Sequence, residues 1–184
     1  IFHLKNKEYD QALKQLGTVN TQDRLFVELK NSLVFWIELE LNKKSKEILV
    51  KNFKSGRSPG ITLVNQFLAS KYIGNDKLYK SYNLQILDSD SYTRYKILSA
   101  WNLSDAGRKN QAIRILKLAL NENNQNILLK QSFKNFKKEN FKISSFFNSR
   151  DINHNFSEIF YLFSILYQQR NDLLFSDLLL SISL

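Results

Sequence analysis

Six helix-breaking sites divide this 184-residue chain at a nearly constant interval. Each is an Asn or Gly beside charged residues: Asn6-Lys7-Glu8, Asn42-Lys43-Lys44, Gly74-Asn75-Asp76, Gly107-Arg108-Lys109, Glu139-Asn140 and Asn171-Asp172. Anchored at Lys7, Asn42, Gly74, Gly107, Asn140 and Asn171, they are spaced by 35, 32, 33, 33 and 31 residues. Gly and Asn tolerate the left-handed backbone that ends a helix, so each site is expected to close one helix and turn the chain back. A fixed period of this length is the mark of a repeat architecture.

Between the sites the apolar residues keep helical time. Leu25, Leu29, Leu33, Trp36 and Ile37 fall on one stripe, as do Ala112, Ile115, Leu116, Ala119 and Leu120, and again Ile159, Leu162, Phe163, Leu166 and Tyr167. Strict alternation, the mark of strands, is sustained nowhere. Polar breaks lie halfway between the turns, at 18–22, 55–60, 88–91, 121–125 and 149–155. Their Ser, Thr, Asp and Asn suit helix N-caps. Asp90 or Ser91 is expected to cap the helix running through Trp101, and Asn155 or Ser157 the helix starting at Glu158. Pro59 suits the first turn of a helix from about Gly60 to Ile73. Each period therefore holds two helices. The units run roughly 1–20, 21–55, 56–89, 90–123, 124–153 and 154–184, about eleven helices in one all-α repeat domain.

A helix pair every 33 or so residues resembles the tetratricopeptide repeat. The segment from Gly107 through Ala112, Leu116 and Ala119, preceded by Ala100, is similar to that family's second helix, in which small residues let the two helices approach closely. Phe160, Phe163, Ser164 and Tyr167 take the large, large, small and aromatic positions of its first helix, with Asn171 at the glycine turn. Tyr9, Ala12 and Leu16 match in the first unit. Tyr79 and Glu47 stand where the family has small residues. The closing segment from Glu158 to Tyr167 resembles late repeats of bacterial envelope-type tetratricopeptide proteins. The resemblance implies a right-handed superhelical solenoid of antiparallel helix pairs, a non-catalytic scaffold that holds a peptide or partner protein on its concave face. It also implies that first-helix residues line that face. The outward polar ones are Glu28, Asn31, Asn65, Gln66, Asn102 and Asp105.

Composition narrows the chemistry. The chain has no Cys, which removes thiol nucleophiles, disulfides and Cys-ligated metals. His3 and His154 are the only histidines, and neither has a ligand-type partner at helical spacing. No G-x-S-x-G, H-E-x-x-H or P-loop is present, and the carboxylates are scattered. No cofactor or metal is expected, and the chain reads as no enzyme. The loop Ser55-Gly-Arg-Ser-Pro-Gly60 precedes a helix, an arrangement that can bind an anion, but it lacks the P-loop lysine and reads as a linker.

Lys+Arg 27 against Asp+Glu 17 gives +10, and the excess is lysine: 20 Lys to 7 Arg, alongside 20 Asn. AT-rich coding favours that set, so the charge reads first as lysines on solvated faces. One stretch stands out: Lys130, Lys134 and Lys138 recur every fourth residue, with Lys137 and Lys142 nearby and Phe133, Phe136 and Phe141 between them. An alternative function follows, RNA or acidic-surface binding, in which lysines track phosphates and aromatics stack on bases. Ser32–Leu41 and Ile159–Tyr167, the most apolar runs, are far shorter than the ~20 residues that cross a bilayer. The chain starts at Ile1 without Met and ends at Leu184 in an apolar run, so it reads as a fragment lacking both ends. The envelope-type resemblance and the absence of Cys favour a bacterial periplasm over the cytoplasm.

Overall fold

The computed structural model describes residues 2–42, 45–89, 91–138 and 147–183. The described residues are all-helical, with eleven helices and no strand: α1 (Phe2–Lys5), α2 (Tyr9–Thr18), α3 (Arg24–Leu41), α4 (Lys46–Asn52), α5 (Pro59–Tyr72), α6 (Asp76–Leu87), α7 (Thr93–Asp105), α8 (Lys109–Glu122), α9 (Ile127–Lys137), α10 (Ile152–Gln169) and α11 (Leu173–Ser183).

One turn is built four times. Lys7, Gly74, Gly107 and Asn171 have φ of 59°, 71°, 75° and 60°. At each, the following residue donates its N–H to the carbonyl five positions back: Glu8 to His3, Asn75 to Ser70, Arg108 to Leu103 and Asp172 to Tyr167, at 2.8–3.1 Å. The left-handed residue itself donates to the carbonyl three back, Leu4, Lys71, Ser104 and Gln168. This paired closure satisfies carbonyls that a helix end otherwise leaves open. The next helix begins two residues after each left-handed residue. Four of the six sites read from the sequence thus share one geometry, and Asn140 lies outside the described residues. Asn42 differs. It is extended, with φ −92° and ψ 102°, and its N–H makes an ordinary bond to the Glu38 carbonyl. The apolar stripe carries α3 to Leu41 without a left-handed stop.

Two helix starts also differ from expectation. Asp151, not Asn155, caps α10, accepting from the Asn153 amide at 2.9 Å, so the helix begins six residues before Glu158. The helix through Trp101 starts after Tyr92, whose own side chain makes no capping bond, and Asp90 is outside the described residues.

The chain divides into two compact units, 1–76 with 149–184, and 77–148. The first is organised around α3 and α10. Trp36, Ile37 and Leu39 on α3 and Ile159 and Phe163 on α10 are wholly enclosed. Burying side chains of this size stabilises by about 1.5–3 kcal/mol each. α10 packs against α3, and α11 against α10. The repeat metre alone puts the last helix pair at the far end of an array, whereas in this unit it lies beside the helix of residues 24–41. In the second unit α7, α8 and α9 enclose Ala100, Ala112, Leu116, Leu129 and Phe136. Ala100 and Ala112 are fully buried, so α7 and α8 meet through small residues, as the spacing predicts. Lys96, also buried, reaches Glu122 at 2.7 Å.

Candidate functional site

A groove of about 530 Å³ opens in the first unit where the start of α3, the end of α10 and α11 meet. Phe26, Phe175, Leu174 and Leu178 supply its apolar lining. Leu174 is 86% exposed and Leu178 51%, so the groove has an open, greasy side. Phe175 is fixed edge-on against Tyr167, centroids 4.5 Å apart, and faces Phe26 at 5.9 Å.

Asp23 organises the polar end. One oxygen caps α3 through the Leu25 amide at 2.9 Å and takes Arg170 Nη1 at 3.1 Å, and the other accepts the Tyr167 hydroxyl at 2.7 Å. Burial works to raise the Asp23 pKa, but the Tyr167 hydroxyl, the Leu25 and Phe26 amides and the Arg170 charge together outweigh it and hold the carboxyl below its ordinary value. Burial, then the bond to Asp23, pushes the Tyr167 phenol well above its usual range, so it stays a protonated donor. Asp172 caps α11 by accepting from the Phe175 amide at 3.2 Å. Both carboxylates stand on the groove.

Sequence reasoning did not find this groove. Its signal was present in α11, Leu173-Leu-Phe-Ser-Asp-Leu-Leu-Leu, where leucines face more sides than one buried stripe needs.

Five of the six polar residues expected to line a concave face make hydrogen bonds within the chain. Glu28 is buried, and its Oε1 accepts from the Arg57 amide at 3.3 Å and the Ser58 hydroxyl at 2.9 Å. Asn31 donates to the Ser55 carbonyl at 2.7 Å. Asn65 is fully buried, accepting from the Trp36 indole at 2.8 Å and donating to Ser32 and to the Ile61 carbonyl. Gln66 donates to the Val50 and Lys51 carbonyls at the end of α4. Asn102 donates to the Tyr79 hydroxyl at 3.2 Å. Asp105 alone is plainly exposed. Glu28 and Asn31 thus both reach the 55–58 segment.

The loop at 55–60 is likewise committed. An N–H and a hydroxyl that could have met an external anion meet the Glu28 carboxylate instead. Elsewhere in the first unit, the Tyr72 hydroxyl donates to Glu40, which, after burial, pushes the Tyr72 phenol upward.

Lys130, Lys134, Lys137 and Lys138 are exposed, and Lys142 and Phe141 lie outside the described residues. Phe136 is in the core, and Phe133 is half-buried with the Lys137 ammonium 4.4 Å from its ring centroid. His3 pairs with Glu8 at 2.5 Å and His154 lies 4.0 Å from Asp151. Among the described residues no group of three or more His, Asp or Glu is placed to hold a metal ion, and no helix is long and apolar enough to cross a membrane. Comparison with family models, with curated proteins and with solved structures finds no match to this chain.

Proposed function

We propose that this chain is a non-catalytic scaffold of tetratricopeptide-like helix pairs, and that it binds an extended or helical segment of a partner protein in the groove between α3 and α11. The recurring left-handed closures at Gly74 and Gly107, 33 residues apart, support the repeat reading. The observation that carries the binding reading is the open groove floored by Phe26, Phe175, Leu174 and Leu178. Its open side, where Leu174 and Leu178 remain exposed, suits a few apolar side chains of a partner rather than a small molecule sealed from water. The carboxylates of Asp23 and Asp172 stand at its edge, a local acidic end that favours a segment with apolar anchors and a neighbouring Lys or Arg.

Selection of displayed random peptides on the full chain, with Leu174→Asp/Leu178→Asp as counter-target, tests this. Both leucines are exposed, so the variant keeps its core. The reading expects sequences with apolar anchors and a basic residue, retained by the wild type and released by the variant. Equal retention on both proteins overturns it.

A further inference from the structure

Charge is unequally shared between the two compact units. Residues 77–148 carry thirteen Lys and Arg against five Asp and Glu, a balance of +8. Residues 1–76 and 149–184 carry fourteen against twelve, a balance of +2. A compositional bias spread along the chain does not by itself produce such segregation, whereas a surface for a polyanion does.

α9 concentrates it. From Asn123 to Lys138 there is no acidic residue, and four lysines are exposed. Leu129 and Phe136, seven apart, are only 0% and 1% exposed and fix which side of the helix faces the core. Ile127, Lys130, Gln131 and Lys134, at i, i+3, i+4 and i+7, form the opposite side, with Leu128 on its flank. Ile127 is 76% exposed and Leu128 52%. This outer face therefore presents two large apolar side chains in its first turn and ammonium groups behind them.

We infer that the outer face of α9 is a docking surface for a lipid bilayer with anionic headgroups. The lysines sit over the headgroups while Ile127 and Leu128 enter the boundary between headgroups and acyl chains. Single-stranded RNA fits less well. Phe136 is inside the core and Phe133 is half-buried beneath Lys137, so the face lacks free aromatic platforms for bases. Neither an RNA backbone nor a free phosphate uses Ile127 and Leu128. The inference does not rest on the α3–α11 groove.

Co-sedimentation of the full chain with vesicles tests the inference. One set is phosphatidylcholine alone, and the other has one-third phosphatidylglycerol. The chain should sediment with the anionic vesicles only, at low salt and not at high salt. Lys130→Ser/Lys134→Ser/Lys138→Ser should weaken partitioning roughly a hundredfold. Ile127→Ser/Leu128→Ser should weaken it by about tenfold or more while leaving the positive charge intact. All these side chains are exposed, and unchanged circular-dichroism melting verifies that the variants fold. Failure to bind anionic vesicles overturns the inference, as does binding indifferent to Ile127 and Leu128. Tighter, salt-sensitive binding to oligouridylate than to vesicles transfers the face to nucleic acid and overturns it too.

Discussion

The indole N–H of Trp36 donates to Oδ1 of Asn65 at 2.8 Å, with both side chains wholly shielded from water. The amide nitrogen of Asn65 is also used, by Ser32 and the Ile61 carbonyl. Asn65 therefore ties α3 to α5. Asn65→Ala leaves a buried indole N–H without its acceptor, and should cost about 2–4 kcal/mol in urea denaturation. A loss below about 0.5 kcal/mol would mean that Asn65 faces solvent and is free for a ligand.

Glu28 holds the 55–58 segment from beneath. A Cβ on Gly56 would meet Glu28 Cγ at 2.9 Å, so the glycine is what lets the loop settle on the carboxylate. Gly56→Ala should destabilise the fold by about 1–3 kcal/mol. Glu28→Ala removes both the clash and the loop's acceptor. The double variant should therefore lose less than the sum of the two single losses in a denaturation cycle. Strict additivity would refute the contact.

Asp23 links pH to stability. Its pKa is held below the ordinary carboxylate value, so its contribution is present above the unfolded pKa, near 3.9, and is lost as pH falls through the lower folded value. Asp23→Asn keeps a capping oxygen but not the charge. Chemical denaturation between neutral pH and pH about 3 should show a shallower acid-side loss for the variant than for the wild type. Because Asp23 is partly exposed, the neutral-pH cost should be modest, about 1 kcal/mol or less. Parallel pH curves would contradict the clasp with Tyr167 and Arg170.

The repeated turn makes opposite predictions at different residues. Nothing lies within 4 Å of a Cβ built on Gly107, so Gly107→Ala meets no clash and isolates the backbone cost of φ 75°. It should lower stability by about 1–2 kcal/mol. Lys7, a non-glycine at φ 59°, should gain up to about 1 kcal/mol as Lys7→Gly. Thermal melting of the two variants should move in opposite directions.

The turns were legible because few residues accept a left-handed backbone, and their interval exposed even Lys7, whose type gave no hint. Asn42 was misread for the same reason: Asn permits that conformation without requiring it, and α3 ends in extended chain instead. The buried polar residues were legible in principle. Leu25, Glu28, Leu29, Ser32, Leu33 and Trp36 follow one 3–1–3–1–3 rhythm, so Glu28 and Ser32 are in phase with the core stripe. Asn65 sits likewise between Val64 and Leu68. The groove was not legible. It depends on Tyr167 meeting Asp23 across 144 residues, and periodicity reports which side of a helix is buried but not which helix covers it.

The most direct measurement is an amide shift map of the full chain with a segment obtained by the peptide selection. Binding in the groove predicts the largest shifts at Phe26, Tyr167, Leu174, Phe175 and Leu178, and their disappearance in Leu174→Asp/Leu178→Asp. Shifts that gather elsewhere, or that survive in the variant, would contradict the account.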